Sequence, residues 1–83
     1  MDITAVQCRG ARGLLGMTQA ELAGASGVSL RTITHFEANE SRPITAILVA
    51  LRKALEDAGI EFIAENGGGP GVRLAQRQKR SKK

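Results

Sequence analysis

Eighty-three residues, 42% of them apolar, allow one folded domain, and a core of that size is marginal for a monomer. The aromatic residues are Phe36 and Phe62, with no Trp or Tyr, which argues against a single-strand binder that stacks bases on aromatic platforms. The formal charge of +4 is concentrated at one end: Arg77, Lys79, Arg80, Lys82 and Lys83 supply five of the twelve basic residues, and without them seven bases face eight acids, a net of −1.

Bulk basicity therefore says nothing directly about the folded part. A basic tail adds sequence-blind attraction to phosphates, and any specific recognition must come from a few placed cations and backbone N–H groups. The longest apolar run, 44–51, is interrupted by Thr45 and is too short to span a bilayer. Asp2 and Gln7 interrupt any signal-peptide core, so none is expected. One cysteine cannot form an internal disulfide, which fits a reducing cytoplasm.

In chain order, residues 1–16 predict a first helix. Ala5, Cys8, Ala11 and Leu15 recur at helical spacing, with Val6 and Leu14 on the flanks. Gly10 and Gly13 each weaken that helix by roughly 1 kcal/mol relative to alanine, and the sequence gives no reason for either. Gly16 ends it. Cys8 falls on the inward face and reads as a small buried hydrophobe. No second Cys or nearby His completes a metal site with it.

Residues 17–38, MTQAELAGASGVSLRTITHFEA, predict two short helices joined by a tight turn. Thr18 and Glu21 are spaced as a capping box, and Met17 and Leu22 as the apolar staple beside it. Ser29 is a second N-cap, with Val28 and Ile33 as its staple. Gly27 between them supplies the positive φ that closes one helix and turns the chain. At roughly 100° per residue, Ile33, Phe36 and Glu37 share one side of the third helix, while Arg31, Thr34, His35 and Ala38 share the other. The first side faces the core. The second, short and positive, faces solvent or a ligand.

Residues 39–43 (NESRP) predict a polar turn, with Pro43 at or near the first position of a fourth helix over about 44–58. Ile44, Ile47, Leu48, Leu51, Leu55 and Ala58 form its apolar stripe, Arg52, Lys53, Glu56 and Asp57 lie mostly outward, and Gly59 follows as a C′ residue. The period then changes. Residues 60–64 and 71–75 predict a β-hairpin around the loop NGGGPG. A hairpin this small is unstable alone, so it must pack on the helices, pair with a second copy, or both. The glycine run lacks the following Lys-Ser/Thr and helix of a phosphate loop. Residues 76–83 are expected to be a disordered basic tail. The chain thus divides into 1–59, 60–75 and 76–83.

The residues T-Q-A-E-L-A, then G-V-S, then T-I-x-x-F-E resemble the helix-turn-helix of the phage-repressor-like (Cro/C1-type, XRE) DNA-binding family, and the likeness covers roughly residues 5–58. It implies a mainly α, four-helix domain, with the 60–75 hairpin appended. Several bacterial members of the family end in a segment similar to GIEFI…GGGPGVRL, which implies a structured hairpin. Family members commonly carry an ion pair at the positions of Arg12 and Glu37, so the resemblance implies a salt bridge from the first helix to the end of the third. On the residues alone, both could equally point into water and contribute little.

A major groove about 12 Å wide accepts one helix, so double-stranded DNA is the expected partner. Arg31 can take O6 and N7 of a guanine together, or a phosphate. Thr34 can offer a methyl or a hydroxyl to a base, or stand neutral in solvent. His35 can donate to a base or a phosphate, more strongly in acid, or be a plain exposed histidine. Leu30 departs from the polar residue often found there in phage members, and either touches a thymine methyl or covers the helix flank. Thr18, Gln19 and the N–H groups of the second helix suit phosphates. Ser29, Asn39 and Arg42 match family positions near phosphates, with cap, turn former and solvated charge as the alternatives.

One helix reads few base pairs, and proteins of this type usually dimerise with their readers about 34 Å apart. The expected interface is the fourth helix with Ile60, Phe62, Ile63, Val72 and Leu74 of the hairpin, unless these close the monomer's own core. The leading expectation is a homodimeric, sequence-specific repressor on a palindromic operator, cytoplasmic, bacterial or phage, and nucleoid-associated. The alternative is a small helix-turn-helix protein that binds another protein, as an antitoxin or antiactivator does. One His, one Cys and scattered carboxylates supply no triad, metal cluster or nucleotide loop, so no enzyme, cofactor, metal or membrane partner is expected.

Overall fold

The computed structural model describes residues 2–64 and 67–75. Four helices precede a hairpin: α1 (Ala5–Leu15), α2 (Gln19–Ser26), α3 (Leu30–Glu37), α4 (Thr45–Asp57), β1 (Ile60–Ile63) and β2 (Gly71–Leu74). This is the mainly α arrangement expected from the sequence. Met1, Asn66 of the glycine loop and the tail 76–83 lie outside the described residues.

Side-chain caps set where three of the helices begin. Thr18 Oγ1 accepts from the Glu21 N–H at 3.0 Å, and Glu21 Oε1 accepts from the Thr18 N–H at 2.9 Å, the reciprocal pair expected at α2. The same device, not foreseen, opens α1: Thr4 Oγ1 accepts from Gln7 N–H at 3.1 Å, and Gln7 Oε1 accepts from Thr4 N–H at 2.9 Å. Gly16 and Gly27 close α1 and α2 at φ 66° and 77°, a region in which a side chain would be strained. Ser29 caps α3, its Oγ accepting from Thr32 N–H at 3.1 Å.

The start of α4 differs from expectation. Pro43 lies outside the helix, and Ile44 is the N-cap. Ile44 is extended (φ −64°, ψ 159°), and its carbonyl accepts the first helical N–H groups, those of Ile47 and Leu48, at 3.0 and 3.2 Å. A residue preceding the helix is not carried on its inner face, so Ile44 leaves the apolar stripe and is 70% exposed. Ala58, the C-cap, is exposed too, while Ala54 is buried in their stead.

The core gathers Ile3, Cys8 and Ala11 with Leu22, Ile33 and Phe36, closed from below by Leu48, Leu51 and Leu55. The flanking Val6 and Leu14 are exposed. The hairpin is antiparallel, Ile60 opposite Leu74 and Phe62 opposite Val72, and it packs β1 on α4 and β2 on α1. Gln7, buried, links it to α1: its Nε2 donates to the carbonyls of Gly71 at 3.0 Å and Ile63 at 3.4 Å. Gly10 now has a reason. A Cβ there would sit 3.3 Å from Val72 Cγ2, so glycine lets β2 close on the helix. Around Gly13 there is open space within 4 Å, and nothing in the structure explains that residue.

Candidate nucleic-acid interface

The two sides of α3 separate as its sequence spacing demands. Ile33, Phe36 and Glu37 are buried, whereas Leu30, Arg31 and Thr34 are exposed and His35 is partly so. Helices this short are marginal alone, so the position of α3 is fixed by its inner side. Ile33 and Phe36 supply apolar contact. Glu37 supplies something more specific.

Glu37 is 3% exposed, and its carboxylate accepts from four donors. Arg12 Nε reaches Oε2 at 2.8 Å and Arg12 Nη2 reaches Oε1 at 2.5 Å, a bidentate pair between α1 and α3. Cys8 Sγ donates to Oε2 at 3.0 Å, and Gln19 Nε2 of α2 donates to Oε1 at 3.0 Å. Four donors occupy the lone-pair sites that a carboxylate offers. Burial opposes the charge, but the hydrogen bonds from Arg12, Gln19 and Cys8, together with the Arg12 charge, outweigh it and hold the carboxyl below its ordinary range. Cys8 moves the other way: burial first, then its bond to Glu37 and that residue's charge, push the thiol well above its usual range, so it stays protonated and donates. Arg9 also donates to the Glu37 carbonyl, tying α1 to the last turn of α3, and Arg12 Nη1 donates to Met17 O at 3.0 Å.

The network reaches the outer side of α3 through Gln19. Gln19 Oε1 accepts from Thr34 Oγ1 at 3.1 Å, so Gln19 bridges the buried carboxylate and the outer side of α3. Sequence reasoning placed Gln19 among phosphate contacts and Thr34 among readers without joining them. The spacing of single residues on separate helices carries no signal for such a bond.

The other singled-out residues lie elsewhere. Thr18 is exposed at the start of α2, engaged as its cap. Ser29 Oγ also donates to Thr32 Oγ1 at 2.9 Å. Asn39 turns the chain after α3 at φ 61° and is exposed. Arg42 pairs with Asp2 at 3.2 Å, and His35 Nε2 lies 3.9 Å from Glu40 Oε1. In the hairpin, Ile60 is buried in the chain's own core, Phe62, Ile63 and Val72 are partly covered, and Leu74 is 45% exposed.

Among the described residues no cluster of His, Cys, Asp and Glu is grouped to hold a metal ion, and no helix is long and apolar enough to cross a membrane. No curated protein matches the chain. A helix-turn-helix family model matches residues 9–58, more than half of the sequence, a span running from α1 through the capped pair α2 and α3 to the end of α4 and leaving the hairpin outside. With α3 exposed on one side and locked on the other, the chain belongs to the Cro/C1-type (XRE) helix-turn-helix family of DNA-binding regulators.

Proposed function

We propose that this chain is a sequence-specific transcriptional repressor that binds a palindromic operator as a homodimer, with α3 in the major groove. The observation that carries the reading is the division of α3: Ile33, Phe36 and Glu37 are locked inward while Leu30, Arg31, Thr34 and His35 face out together. Arg31 takes the guanine O6 and N7 edge, and Leu30 and His35 flank it. The N–H groups at the start of α2, with Thr18, Ser29, Asn39 and Arg42, fall beside phosphates and set the register. Residues 76–83 add sequence-blind attraction. Such a protein would act on the nucleoid of a bacterial or phage-infected cell.

For the dimer, the partly covered Phe62, Ile63 and Val72 and the exposed Leu74 offer apolar surface on the hairpin, whereas Ile60 is already spent on the monomer core. Size-exclusion chromatography with light scattering gives the oligomeric state. The test of the main reading is selection from a random duplex library with purified protein. A two-fold-symmetric motif is expected, and Arg31→Ala weakens binding by about 1–3 kcal/mol and relaxes one position per half-site. Uniform affinity for every duplex, or an Arg31→Ala profile identical to wild type, would sink it.

A further inference from the structure

The bond between Thr34 and Gln19 fixes more than position. A threonine hydroxyl has one proton and two lone pairs, so it can ordinarily meet either a donor or an acceptor. Here the proton is committed. Gln19 Nε2 points to Glu37 Oε1 at 3.0 Å, and Gln19 Oε1 therefore faces Thr34 Oγ1 at 3.1 Å. Turning the amide over would set two acceptor oxygens against each other at Glu37. That carboxylate is buried, ionised and held by Arg12 on both oxygens, so it cannot serve as a donor. The amide has one orientation, and Thr34 donates inward.

What Thr34 offers to the groove is then an acceptor. We propose that Thr34 reads the exocyclic amino group of a base, N6 of adenine or N4 of cytosine, with a polarity imposed by Gln19 and Glu37. These are the donors displayed in the major groove, while guanine O6 and thymine O4 are acceptors. Thr34 thus separates A or C from G or T on the strand it faces. Gln19 is a positioning residue in this scheme, acting through Thr34. The inference rests on the proposed insertion of α3 into the major groove, and it adds the chemistry that one reader accepts there.

The experiment uses the full chain and the duplex library. Thr34→Val keeps the shape and a methyl but loses the hydroxyl, and the position whose preference it removes is the Thr34 position. That position is expected to carry A or C. Replacing the base there by its analogue without the amine, purine for adenine or 2-pyrimidinone for cytosine, is expected to cost wild type about 3- to 10-fold in affinity and Thr34→Val nothing. Thr34→Ser keeps the amino preference. Gln19→Met frees the hydroxyl proton, so G and T become tolerated at that one position while others are unchanged. Thermal unfolding without DNA checks each variant's fold, and the Val and Ser pair decides the matter if Gln19→Met is unfolded. The inference is overturned if Thr34→Val preserves every preference, if the Thr34 position carries G or T, or if folded Gln19→Met retains the amino preference. A wild-type chain that enriches no sequence overturns the regulator reading itself, and this inference with it.

Discussion

Two of the joints that helix α1 makes each turn on one buried polar side chain. At the joint with α3, the Glu37 carboxylate is met by four donors from two helices. At the joint with the hairpin, the neutral Gln7 amide donates to two carbonyls, and the rim stays open, with Val72 partly covered and Leu74 and Val6 exposed. A buried charge tolerates no partial arrangement, because an unpaired carboxylate in a closed core is far costlier than an unpaired amide. The α3 joint is therefore all-or-none and holds α3 at one angle. The hairpin joint is looser and leaves apolar surface uncovered.

The largest effect comes from breaking the first joint. Arg12→Ala strands Glu37 in the core and is expected to cost about 3–5 kcal/mol in denaturant unfolding. A loss below about 1 kcal/mol would mean that the pair behaves as an exposed one and that the contrast is false. Acid attacks the same joint. Because the Glu37 carboxyl is held below its unfolded value, its stabilisation is complete above the unfolded range near about 4.3 and is lost as pH falls through the lower native value. Wild type is expected to lose stability over that acid window, and Glu37→Gln to show a shallower slope there. Equal slopes in the two proteins would remove Glu37 from the account.

The two joints were unequally legible in the sequence. The helices, the α2 capping box and the sidedness of α3 follow from periodicity and cap spacing, which are local. Arg12 and Glu37 came together through family resemblance, since 25 residues separate them and neither position signals the other. Cys8, Gln19 and Thr34 joined that cluster only in three dimensions. The Gln7 joint was partly in view: Thr4 and Gln7 carry the same spacing as Thr18 and Glu21, but the expected helix began too early to use it. That Gln7 also grips the hairpin depends on where β2 lands. The start of α4 was misplaced because Pro43 suits a first turn, and the stripe inside the helix has the same period wherever the helix begins.

The second joint is tested by Gln7→Glu. The carboxylate can still accept from Thr4 N–H, so the cap survives, but it faces the Gly71 and Ile63 carbonyls with no proton to donate. A loss comparable with that of Arg12→Ala, about 3–5 kcal/mol, is expected, because the new buried charge has the Thr4 N–H as donor and no cation beside it. In hydrogen exchange the hairpin amides should lose protection while those of α3 keep theirs. Simultaneous loss in both places would show the joints to be one cooperative unit.

The smallest effect sharpens the hairpin seat through the two glycines of α1. Alanine gains up to about 1 kcal/mol over glycine inside a helix. At Gly13 nothing lies within 4 Å of the added Cβ, so Gly13→Ala should realise that gain in full. At Gly10 the new methyl meets Val72 Cγ2 at 3.3 Å, and β2 must give by a few tenths of an ångström. Gly10→Ala should therefore fall short of Gly13→Ala in thermal unfolding, and the shortfall measures how firmly β2 presses on α1. If the two variants gain equally, Val72 moves aside at no cost, and Gly10 is not what lets the strand approach.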